Sequence, residues 1–117
     1  MQIKLTFGDM SLSATLHDNP TARAFYAQLP LSLTLEDYAS TEKIADLDKK
    51  LTTEGAPAGS SAKKGDLTYY APWGNLAIFY RNFGHANGLI SLGKFTDDIT
   101  PLVSASNIDV RIEQVGI

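Results

Sequence analysis

The sequence predicts an all-β domain, a closed eight-stranded barrel carrying one short helix near residues 19–29. Three observations carry that prediction. Short runs of alternating apolar and polar residues recur along the chain, turn-forming residues separate them, and only one segment near the N-terminus has clear helical spacing. So many short strands suit an open sheet poorly, because its edges would expose unpaired backbone; closure removes the edges and leaves the helix as a plug or cap.

The elements follow in order. Ile3, Leu5 and Phe7 share one face, Gly8-Asp9 turns the chain, and Met10, Leu12, Ala14 and Leu16 repeat the period, giving a β-hairpin with one buried face. Asp18-Asn19-Pro20 then supplies capping side chains followed by a proline suited to a first helical turn, and Ala22, Phe25, Tyr26 and Leu29 follow helical spacing until Pro30. Leu31, Leu33 and Leu35 alternate with Ser32, Thr34 and Glu36 and return the chain to a strand. Residues 40–51, STEKIADLDKKL, are ambiguous: Ile44, Leu47 and Leu51 suit a helical face, while the charges suit any exposed element. Thr52 to Lys64 is rich in Gly, Ala, Ser and Pro without a hydrophobic period and reads as a loop. Strands are expected at Leu67–Ala71, Leu76–Tyr80, near Leu89–Phe95, and at Ile108–Val115, the last with Ile108, Val110 and Ile112 inward. Counting the ambiguous segment, the strands number up to eight.

Composition narrows the function classes. The 117 residues fit one domain, 1–117, with a core large enough to need no metal or disulfide staple. A net charge of −3, with basic residues scattered, argues against nucleic acid, which needs a basic stripe to displace phosphate counterions. No apolar run approaches the roughly 20 residues a bilayer requires, so no membrane partner is expected; with Met1 as the natural start, the alternating MQIKLTFGD predicts a cytoplasmic protein. The chain has no cysteine and two isolated histidines, His17 and His85, so neither a metal nor another cofactor is expected. Gly55, Gly59 and Gly65 do not sit between a strand and a helix, which fails the context of a dinucleotide fingerprint.

Chemistry concentrates in Gly65–Tyr80, GDLTYYAPWGNLAIFY, which holds four of the ten Tyr and Phe residues beside the single Trp. Neighbours in a strand face opposite sides, so one of Tyr69 and Tyr70, and one of Phe79 and Tyr80, belongs to the core while the other faces a groove or solvent. Trp73, in the Pro72–Asn75 turn, is free to sit at a pocket rim. Glu42, Lys43, Asp46 and Asp48 read as charges that solvate an exposed segment; Glu42 gains acid–base character only if burial raises its pKa. Arg81-Asn82-Phe83-Gly84-His85 leads from a strand end into a turn, where Arg81 and His85 would approach the barrel mouth.

The runs EKIADLDKKL, GAPAG and GDLTYYAPWGNLAIFYRNFGHANGLISLGKF resemble the small bacterial and archaeal cyclophilin-like domains, most strongly over residues 42–95. That resemblance implies an eight-stranded barrel of cyclophilin type, without implying the cyclophilin activity. Cyclophilins proper are peptidyl-prolyl isomerases that join an apolar proline pocket to an arginine. Leu76-Ala77-Ile78-Phe79-Tyr80 echoes their pocket strand and carries Phe79 across, but the Phe-His-Arg segment is missing, and Trp73 precedes the Phe79 strand instead of following it. The arginines on offer are Arg23, Arg81 and Arg111. The expectation is a binding domain that takes a peptide or small apolar ligand in an aromatic cleft formed by Tyr70, Trp73, Phe79, Tyr80, Arg81 and His85. The alternative is a weak prolyl isomerase in which Arg81, or another group, stands in for the missing arginine.

Overall fold

The computed structural model describes residues 1–105 and 107–116. Its elements run β1 (Gln2–Phe7), β2 (Met10–Leu16), α1 (Pro20–Ala27), β3 (Leu31–Tyr38), β4 (Glu42–Asp46), β5 (Gly59–Ala62), β6 (Asp66–Tyr70), β7 (Asn75–Phe79), β8 (Phe83–Asn87), β9 (Leu89–Phe95), α2 (Thr100–Val103) and β10 (Asn107–Val115). Eight of the strands close into an antiparallel barrel in the order β1-β10-β3-β4-β7-β6-β9-β2, and β5 and β8 pair separately as a two-stranded sheet.

Alternation decides what fills the barrel. Ile3, Leu5, Leu12, Leu35, Leu67, Leu76, Ile78, Leu92, Val110 and Ile112 are buried and join one core cluster. α1 is capped by Asn19, whose side chain accepts a 2.8 Å hydrogen bond from the Ala22 amide, and it carries Pro20 in its first turn. The helix delivers Ala22 and Phe25 to the core. α2, one turn that periodicity did not predict, adds Leu102 from the β9–β10 connection. The helices join β2 to β3 and β9 to β10, so they sit at opposite ends of the β3–β10 pair, where Leu31 is opposite Ile112 and Glu36 opposite Asn107.

Closure runs through β9. Its last residues pair with β2, Gly93 opposite Leu16 and Phe95 opposite Ala14, while it also pairs with β6 through a register shift between Leu67 and Thr68. A Cβ at Gly93 would lie 2.1 Å from the Thr15 carbonyl oxygen and 2.8 Å from Leu16 Cα, so the seam closes only around a residue without a side chain.

Four expectations change. The ambiguous segment is a strand, β4, with Leu47 and Leu51 buried beyond its end. The stretch from Thr52 to Lys64 is not loop throughout: Gly59–Ala62 forms β5, which a short run of Gly, Ser and Ala disguised by its small side chains. Residues 82–88 are not turn alone, because Phe83–Asn87 is β8, β5's partner. Met10 is 42% exposed at the tip of the first hairpin, past the rim that would cover it.

The seam gives a stability test. Gly93→Ala is expected to lower the urea unfolding free energy by about 2 kcal/mol or more, as overpacking against immovable backbone does. Gly84→Ala, whose new Cβ meets nothing within 4 Å, is expected to change it by less than about 1 kcal/mol.

Candidate functional site

β7 is buried along its whole length, which a barrel strand with one solvated face would not be. Leu76 and Ile78 point into the barrel, while Ala77 and Phe79 point out and form a second apolar cluster with Ala62 and Leu89, against which Ile44, Tyr70 and Ala86 pack. The β5–β8 sheet supplies Ala62 and Ala86 and so covers this outer strip. The cover is incomplete. Where it ends, a cleft of about 190 Å³ opens, floored by Phe79 and Leu89 and walled by Tyr38, Thr41, Glu42, Tyr70, Trp73 and Phe83.

Backbone geometry holds the aromatic wall in place. The Tyr70 carbonyl accepts from the amides of Trp73 and Gly74 at 3.2 and 2.9 Å, fixing the turn that carries the indole. Gly88, at φ 84°, packs on the same turn: a Cβ there would lie 2.6 Å from Pro72 Cδ, and the Gly88 carbonyl accepts from the Ala71 amide at 2.9 Å. Trp73 stands between two tyrosines, with its centroid 5.4 Å from Tyr38 at 85° and 5.3 Å from Tyr70 at 83°. Phe79 and Phe83 form the facing pair at 5.6 Å. Such contacts contribute on the order of 1 kcal/mol each beyond buried area, enough to fix ring orientation. Tyr38 precedes Ala39 and Ser40, both at positive φ (54° and 51°), and the Thr41 amide donates to the Tyr38 carbonyl at 3.1 Å. This is the primed turn that suits a twisted hairpin, built without the glycine or asparagine that usually relieves it.

Charges separate across β4. Glu42 faces the cleft, half-buried, and burial pushes its carboxyl above the ordinary value of 4.5. Lys43, the next residue, points the other way and is only 2% exposed. Its Nζ donates to the Ala105 carbonyl, lies 3.4 Å from Asp37 Oδ1 and stands 5.8 Å from the Tyr80 ring centroid. Tyr80 Oη also donates to Asp37, and burial, then that hydrogen bond, pushes the phenol up to about 12. The same hydrogen bond is the chief cause holding Asp37 below its ordinary value. Lys43 therefore corrects the reading of this segment as a solvated run: its ammonium is satisfied inside the barrel end.

Of the six residues singled out from sequence, Tyr70, Trp73 and Phe79 line the cleft. Tyr80 turns instead to Asp37 and Lys43. Arg81 and His85 are exposed and outside the lining, with His85 Nε2 3.1 Å from Asn87 Oδ1. Sequence reasoning missed Tyr38 and Phe83, which lie far from the aromatic segment or in an apparent turn; the unused signal was that both are aromatic residues beside strand ends. The other arginines are also elsewhere: Arg23 pairs with Asp18 on the surface, and Arg111 lies 3.7 Å from Glu113. A larger concavity of about 460 Å³ crosses β1, β3 and β10, but it is a shallow depression in which, among the described residues, Phe7 is the lone aromatic one. Among the described residues no group of three or more His, Cys, Asp or Glu is placed to hold a metal ion, and no helix is long and apolar enough to cross a membrane.

A family model described as the cyclophilin-like family matches residues 5–113. The chain belongs to that family. The solution structure of the hypothetical protein AF2241 from Archaeoglobus fulgidus superposes with a TM-score of 0.70 at 18% identity, covering 98% of this chain and 95% of that one. At that identity the similarity speaks for the fold, and the cyclophilin-like barrel is what the two share. No curated protein matches the chain.

Glu42 gives the site a pH signature. A carboxyl whose folded pKa is raised favours folding in its protonated form, so its contribution is fully present below 4.5 and is lost as pH rises through the raised value. Glu42→Gln is expected to match the parent's urea midpoint below 4.5 and to exceed it near neutrality.

Proposed function

We propose that this cyclophilin-like barrel is a binding domain whose aromatic cleft, between the β3–β4 turn, the Trp73 turn and the β5–β8 sheet, receives a peptide side chain or a small ligand. The observation that carries this reading is the exposure of three large rings at one opening: Tyr38, Trp73 and Phe83 are 43%, 53% and 41% exposed around a floor formed by the buried Phe79. Rings left partly in water over an apolar floor are the usual makings of a ligand contact, since they bury large area on occupancy and lose little side-chain entropy. The cleft is smaller than the roughly 300–1,000 Å³ of drug-sized sites, which favours one side chain or one small head group.

The test is a fragment screen by amide and indole NMR shifts, using benzyl alcohol, cyclohexanol, choline and a prolyl tetrapeptide. Perturbations clustered on Tyr38, Trp73 and Phe83 are expected, reduced in Phe83→Ala. Shifts confined to the depression near Arg111, or no saturable shift from any probe, would overturn the reading.

The isomerase alternative has weaker support. Rotation about the prolyl bond faces a barrier of roughly 18–20 kcal/mol, and a donor aimed at the amide nitrogen is the means by which cyclophilins proper lower it. No arginine lines the cleft among the described residues. In a protease-coupled assay the cis-to-trans rate of a prolyl tetrapeptide is expected to stay at background; a rate well above it, reduced by Arg81→Ala in folded protein, would reinstate the enzyme.

A further inference from the structure

We propose that the group seated in the cleft is an organic ammonium ion, held against the rings of Tyr38, Tyr70 and Trp73 with Glu42 as its counter-ion. This deepens the binding-domain reading and rests on it.

Ring arrangement is the first argument. Tyr38 and Tyr70 each stand nearly perpendicular to Trp73. Rings at right angles form a corner, so a guest meets more than one π system, and the negative face of each ring attracts a cation within about 6 Å of its centroid. Trp is the strongest of the three ring types in this respect.

Charge is the second. Among the described residues Glu42 is the sole charged one lining the cleft, beside the hydroxyl of Thr41, the phenols of Tyr38 and Tyr70 and the indole of Trp73. A neutral apolar guest would bury the carboxylate further without a partner, which is costly, and an anion would be repelled. An ammonium resolves both. The neighbouring lysine does not compete for the role, because Lys43 projects into the barrel and is committed to Asp37 and the Ala105 carbonyl. The chain's net charge of −3 adds a field of the same sign.

Size is the third. About 190 Å³ admits a trimethylammonium or lysyl head group and little of what carries it. The shared chemistry is therefore the ammonium, on a free small molecule or at the tip of a lysine side chain.

The single tryptophan of the chain is Trp73, so indole fluorescence and the indole N–H shift report the cleft directly. Choline, its uncharged tert-butyl analogue and a trimethyllysine tripeptide would be titrated at constant ionic strength. Choline is expected to bind at least about tenfold more tightly than the analogue. Glu42→Gln is expected to shrink that preference several-fold, weakening choline and strengthening the analogue, whose seating no longer desolvates a carboxylate, and Tyr38→Leu to weaken choline more than the analogue, in variants with parental unfolding cooperativity. Tighter binding of the tripeptide than of choline supports the ammonium and assigns it to a protein side chain; the reverse supports it and assigns it to a free amine. An analogue bound as tightly as choline, or a preference that Glu42→Gln leaves undiminished, overturns the ammonium paired with Glu42 while the binding-domain reading stands. No saturable signal from choline, analogue or tripeptide overturns the ammonium, and if the neutral fragments also leave the cleft unshifted, the binding domain falls with it.

Discussion

β7 is buried on both faces, and covering its outer face shapes the remainder of the molecule. A barrel strand must bury its inner residues, here Leu76 and Ile78, but Ala77 and Phe79 on the outer face are just as apolar and equally excluded from water. Leaving a phenylalanine side chain exposed forgoes roughly 1.5–3 kcal/mol, so the chain spends two further segments, β5 and β8, on a small sheet that covers it. The cleft is where that cover stops short. Fold and candidate site thus share one cause: an outer apolar strip larger than the sheet laid over it.

The alternation of β4 adds the electrostatics. Two adjacent residues of opposite charge are sent to opposite sides of the barrel wall, Lys43 inward and Glu42 into the cleft. A buried ammonium is tolerable only when fully partnered, and Lys43 has a carbonyl, a carboxylate and an aromatic face around it. Glu42 has no such set, and its raised pKa records the difference. The hydrogen-bonded group at the barrel end consumes Tyr80 and Asp37, which removes Tyr80 from the rings that line the cleft.

Membership of the cyclophilin-like family accounts for the barrel and leaves the cleft's chemistry to be read from this chain's own residues. Phe79 lies on the floor of a groove, and what surrounds it is a wall of Tyr, Trp and Phe83 with the carboxylate of Glu42. An arginine-dependent reaction and an aromatic corner with a glutamate ask for guests of different charge.

The barrel was legible in the sequence because alternation is a local signal: Ile3-Leu5-Phe7 or Val110-Ile112 needs only its own strand to declare a buried face, and Asn19-Pro20 declares a helix start within four residues. Tyr70, Trp73 and Phe79 were legible as site candidates for the same reason, being crowded into one short run. The sheet of Gly59–Ala62 with Phe83–Asn87 was not, since strands of Gly, Ser, Ala and Asn carry no period and exist through pairing with each other and packing on Phe79. Nor was the placement of Tyr38 and Glu42, which reach the cleft because β3 pairs with β4 and β4 with β7, setting Tyr38 opposite Glu42 and Glu42 opposite Phe79. Local alternation was enough to orient strands such as β1 and β10, whose Ile3, Leu5, Val110 and Ile112 turn inward. Which outward residues would meet one another was decided by the tertiary structure, because strand order and the placement of the β5–β8 cover depend on contacts between segments far apart in the chain.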